Sequence, residues 1–172
     1  LSGSCGKNAC DPTQAVDIVP IATGFAVVSQ VQRSEGQTVA FYALLTLFDQ
    51  GGNTIAEFAY RRPSGTGTYL DLLPQALLAT SDGGFLMVGR TAEVVAGAAG
   101  IHDGFAMKLS AQGAIEWQTR IGTPHGDDLF KRATASRDGT GYVVVGSSPS
   151  ASGTTDGWLI RLQRDGTLIV DN

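Results

Sequence analysis

With 172 residues, 42% of them hydrophobic and 16% charged, the chain has too much apolar surface for disorder and is long enough to bury a core as one domain over 1–172. A net charge of −4 argues against nucleic acid as a partner, and no apolar run reaches the roughly 18 residues of a membrane-spanning helix. Its 23 glycines point to many short strands joined by turns.

The chain opens with CGKNAC, which holds both cysteines, Cys5 and Cys10. Two thiols make a poor zinc site, since structural zinc usually takes four nitrogen or sulfur ligands. A small disulfide loop within 1–10 is expected instead, and it implies a secreted, periplasmic or cell-surface protein. Strand A of a first unit follows at about 15–20, and strand B at 24–29. Strand C is expected to end at Leu47, with a turn at Gly51 and strand D beyond it. RRPSGTGT at 61–68 then forms a basic, glycine-containing connection; it lacks the Gly-Lys-Ser/Thr ending of a phosphate-binding loop.

The same plan returns twice. ATGFAVVSQ (22–30), DGGFLMVGR (82–90) and GTGYVVVGS (139–147) each place an aromatic residue between a glycine and an apolar run. With Phe25, Phe85 and Tyr142 as anchors, Asp11, Asp71 and Asp128 stand fourteen positions earlier, and Val16, Ala76 and Ala133 nine earlier. Downstream, ALLTLFDQGGNTI (43–55), FAMKLSAQGAIEW (105–117) and WLIRLQRDGTLIV (158–170) align strand ends at Leu47, Leu109 and Leu162 and turns at Gly51, Gly113 and Gly166. Asp103-Gly104 and Asp156-Gly157 open two of these strands with a strong turn signal. The units are 11–70, 71–127 and 128–172.

Three repeats of four short strands predict an all-β fold of β-propeller blades. Three blades leave two terminal faces bare, so a half ring is expected, completed by a homodimer, by a partner chain or by the rest of a longer chain. The alternative is a closed three-fold fold, a β-prism or β-trefoil. TSDGGFLMVGR followed by DGFAMKLSAQGAIEWQTRIGTPHGDD resembles the blades of bacterial secreted β-propeller repeat proteins, from about Leu73 to the end of the chain. Unit one departs from that pattern. It has Phe41 where Asp opens strand C, and Ala43 in place of the aromatic residue held by Phe105 and Trp158. The resemblance implies the fold and a secreted or surface setting; it brings no shared catalytic residue.

Candidate chemistry is sparse. Asp11, Asp71 and Asp128 have no run of neighbouring carboxylates suited to calcium, so they are expected to accept backbone N–H bonds at the start of strand A. Trp117 and Trp158 lie inside the repeat and are expected to pack between blades. The B-to-C and D-to-A loops should share one end of the blades. There Arg61, Arg62, His102, His125 and Asp127 are the residues expected to meet a ligand. No catalytic motif and no cofactor or metal site is apparent. The expected function is a non-catalytic binding or assembly module that contacts a carbohydrate or protein partner. The alternative is a propeller subunit of an enzyme whose catalytic groups lie on another chain.

Overall fold

A computed structural model describes residues 13–35, 38–63, 69–93, 102–124 and 126–169. Every regular element among them is a β-strand. The first sheet is an antiparallel meander of β1 (Thr13–Ile21), β2 (Gly24–Glu35), β3 (Thr38–Asp49) and β4 (Thr54–Tyr60). The second holds β6 (Tyr69–Ala79), β7 (Phe85–Glu93), β8 (Asp103–Leu109) and β9 (Ile115–Ile121), with the two-residue β5 (Arg62–Pro63) added at the free edge of β6. The third holds β10 (Leu129–Ala135), β11 (Gly141–Pro149), β12 (Thr155–Gln163) and β13 (Leu168–Ile169).

These are the three four-stranded units expected, stacked as blades. One apolar cluster joins blades one and two through Val28, Leu45 and Leu47 against Leu77, Phe85 and Met87. A second joins blades two and three through Leu86, Val88 and Ala106 against Phe130, Tyr142 and Val144. Blades one and three share no packed interface among the described residues, which removes the closed three-fold alternatives. The A strands β1, β6 and β10 pack on one another in series, so the blades fan out from that edge.

Strand alternation gives each blade two faces. Phe85 and Tyr142 point back at the preceding blade, and we call this the leading face. The next residue in each case, Leu86 or Val143, lies on the opposite, trailing face. The glycine before each anchor follows from close backbone approach. A Cβ at Gly24, Gly84 or Gly141 would run into the carbonyl oxygen of Phe48, Leu109 or Leu162 on the neighbouring C strand.

The same three carbonyls correct the register of unit one. Phe25 pairs with Phe48, as Phe85 does with Leu109 and Tyr142 with Leu162. The turn glycine of unit one is therefore Gly52 and not Gly51. Gly52, Gly113 and Gly166 share a φ of +81°, +76° and +85°, and each donates its amide to the carbonyl three residues back. Of the two adjacent glycines, the one that takes the left-handed backbone closes the turn. The residue of unit one that matches Asp103 is consequently Tyr42 rather than Phe41, four residues inside β3, and Leu44 rather than Ala43 stands in place of the aromatic residue.

Every A strand also carries a β-bulge at one place: between Ala15 and Asp17, Pro74 and Ala76, and Phe130 and Arg132. A bulge frees backbone groups from the ladder, and side chains use them to tie blades together. The Leu77 amide donates to Asp17 Oδ2 at 3.0 Å, and Arg132 Nη1 donates to the Gln75 carbonyl at 3.1 Å.

The outer edge of each junction is closed by an aromatic ring over a turn glycine. Phe58 of β4 covers Gly113, and Tyr60 Oη donates to the Gly113 carbonyl at 2.8 Å. Trp117 of β9 covers Gly166, donating its indole N–H to the Arg164 carbonyl at 2.6 Å, while Thr119 Oγ1 donates to the Gly166 carbonyl at 3.0 Å. Trp158 packs against Phe130 with ring centroids 5.5 Å apart. Phe130 belongs to the same blade, and it is by packing on the cluster between blades two and three that Trp158, like Trp117, serves a junction.

These turns yield a graded test. A Cβ at Gly113 or Gly166 would sit 2.5 Å from the covering ring, whereas one at Gly52 meets nothing within 4 Å. Gly52→Ala should cost about 1 kcal/mol, the backbone term alone. Gly113→Ala and Gly166→Ala should each cost roughly 2–4 kcal/mol, because overpacking adds to it. Urea-unfolding midpoints of the three variants would show the order.

Candidate functional site

In an antiparallel meander the start of strand A, the end of B, the start of C and the end of D share one end. The strand ends that lead into the D-to-A and B-to-C connections therefore lie there, and side-chain carboxylates fasten them. The amide of Phe41, within β3 just before Tyr42, the counterpart of Asp103, donates to Asp71 Oδ1 at 2.8 Å. The amide of His102, just before Asp103 opens strand C of blade two, donates to Asp127 Oδ1 at 2.9 Å. Each carboxylate begins the next blade and clasps the one before it.

The repeated aspartates are therefore Asp71 and Asp127, one residue away from the pairing of Asp71 with Asp128 that equal spacing predicts. The difference arises between β10 and β11, where the loop from Ser136 to Thr140 alters the distance from strand A to the anchor. Asp128 does separate work. It is fully buried, donates its amide to the His102 carbonyl at 2.8 Å and accepts the Thr123 amide at 2.6 Å.

His102 is the centre of this end. Its Nδ1 lies 3.1 Å from the same Asp127 Oδ1 that takes its amide, and Asp71 is close enough to feel its charge. For Asp127, partial burial works to raise the pKa. The His102 amide and ring, with the charge of Arg90, outweigh it and hold the carboxyl below its usual value. For Asp71 burial prevails and raises the pKa, against the Phe41 amide and the His102 charge. Asp103 and Arg120 form an ion pair beside the clasp, at the start of strand C. A ring steered by a carboxylate in this way can present its other nitrogen to a ligand.

Arg61 lies at the same end, at the close of blade one, with its guanidinium 4.8 Å above the Tyr42 ring. Arg62 lies in β5, its backbone paired with Leu70, and its side chain is outside the described residues. His125, Asp11, Cys5 and Cys10 are also outside them, and so is the expected disulfide. The structure thus brings His102 and Asp127 into contact and leaves Arg61 on a ring of its own blade.

Sequence reasoning missed two features at the opposite end, where the A-to-B and C-to-D turns lie. Lys108 alternates away from Met107 as expected, but it faces the next blade and is only 2% exposed. Its ammonium donates to Asp82 Oδ2 at 2.9 Å, Glu116 Oε2 at 3.1 Å and the Leu109 carbonyl at 3.1 Å. Desolvation disfavours the charge, but the two carboxylates outweigh it and raise the lysine pKa. At the junction of blades one and two the corresponding residue is Leu47. There a cleft of about 470 Å³ opens among Pro20, Ile21, Leu47, Ala79 and Phe85. The signal was the loss of a cation from unit one at the position of Lys108 and Arg161, which Leu47 fills.

Among the described residues no group of three or more His, Cys, Asp or Glu side chains is arranged to hold a metal ion. Neither a comparison with protein-family models nor one with curated protein sequences finds a match.

The clasp has a pH signature. The Asp127 carboxyl is held below its unfolded value, so its contribution is present above the unfolded carboxylate pKa and is lost as pH falls through the folded one. Asp127→Asn should lower stability by less than about 1 kcal/mol at neutral pH, because the carboxylate is half exposed and screened by water. The gap between wild type and variant should close below about pH 4. Thermal melts across that range would measure it.

Proposed function

We propose that the chain is a non-catalytic binding or assembly module of a secreted or surface protein, and that the loop end of its blades contacts a carbohydrate or protein partner. The observation that carries the reading is the pair of aspartate clasps, Asp71 on Phe41 and Asp127 on His102. They fasten the end of each blade that carries the B-to-C and D-to-A connections to the blade after it, and a stiff sheet framework under connecting segments is how binding surfaces are commonly built. Arg61 over Tyr42 adds an aromatic and cationic surface at the same end, suited to an acidic sugar or peptide. The resemblance of units two and three to secreted bacterial propeller repeats points the same way, as do the paired cysteines near the start of the chain.

The His102–Asp127 contact favours a second reading, an enzyme subunit that lends an acid–base group to a site completed by another chain. A printed glycan array separates the two. The binding reading expects hits among acidic oligosaccharides without turnover, weakened at least tenfold by Arg61→Ala or His102→Ala. A coloured cofactor or metal that co-purifies, with turnover lost in His102→Ala, would replace it with the enzyme reading.

A further inference from the structure

We propose that the trailing face of blade three and the leading face of blade one are two halves of one interface, and that a second copy of this chain joins them into a two-fold, six-bladed ring. The inference rests on the reading as an assembly module.

On leading faces, Phe85 is 2% exposed and Tyr142 7%, because a blade precedes each; their equivalent Phe25 is 41% exposed. Leu77 of β6 is 5% exposed, while Ile18, at the same register past the bulge of β1, is 58% exposed. Gly113 and Gly166 lie beneath rings from the preceding blade, and none of the described residues lies over Gly52.

Trailing faces tell the mirror story. Val28 and Val88 are fully buried and their equivalent Val145 is 40% exposed. Leu45 and Ala106 are fully buried and their equivalent Leu159 is 62% exposed. Arg161 takes the place of the buried Leu47 and Lys108. The bare surfaces are thus the ones that internal junctions cover, at the same register positions.

Both internal junctions join a trailing face to a leading face, so the two free faces match each other and neither matches itself. A head-to-tail contact of this kind either closes or grows into a filament. Two copies of three blades close at six, within the usual four to eight. Val145 and Leu159 of each copy would then lie against Ile18 and Phe25 of the other.

Sedimentation velocity on the 172-residue chain tests this, with two exposed-site variants checked for intact far-UV circular dichroism. Wild type should sediment as a dimer. Leu159→Asp spoils only the trailing face and Ile18→Asp only the leading face, and each alone should raise the dimer dissociation constant at least tenfold. Mixing the two should restore tighter association than either shows alone, since one junction then pairs two intact faces. A wild-type monomer at every concentration would overturn the ring, as would open-ended growth, a variant that still dimerises fully, or a mixture no tighter than its components. Array binding retained by a monomeric wild type would reject the ring and leave the loop-end reading standing. A dimer without array hits would do the reverse.

Discussion

A four-stranded sheet with apolar residues on both faces cannot rest against water on either, and the rest of this structure follows from that constraint. Alternation puts Phe85 and Met87 on one side of β7 and Leu86 and Val88 on the other, and all four are almost fully buried. Only a neighbour on each side can do that. At about 25 cal/mol per Å², a few hundred Å² of apolar blade face is worth as much as the net stability of a domain. Stacking is therefore the condition under which these sheets exist.

Once the blades must stack, their joints need polar as well as apolar fastening. The bulge in each A strand frees backbone groups, and Asp17 and Arg132 bind across the junctions there. Asp71 and Asp127 clasp the loop end, and aromatic rings over Gly113 and Gly166 seal the turn end. Lys108 shows the limit of this freedom. A charge can sit inside a junction when two carboxylates and a carbonyl surround its ammonium, with both carboxylates reaching solvent.

The two junctions are not copies. Leu47 replaces the lysine at the first and leaves an apolar cleft at the turn end; Lys108 with Asp82 and Glu116 occupies the corresponding place at the second. The loop end differs as well, with Asp71 alone on Phe41 but Asp127 and Asp128 both on His102. Variation is thus concentrated at the two ends of the blades, while the apolar middle of each sheet is kept.

The residues alone determined the strand content, the three units and the glycine-aromatic anchors. Period-two alternation and turn glycines are local signals, and they survive any error in long-range pairing. Tertiary structure decided the register and the faces. The choice of Gly52 over Gly51 depended on which glycine takes a positive φ, and it moved strand C of unit one by one residue. The pairing of Asp71 with Asp127 rather than Asp128 depended on the unequal A-to-B loops. Lys108 read as simple alternation, because no string of residues says which side of a sheet meets water. That is settled only when another blade arrives, and among the described residues none covers Phe25 or Leu159.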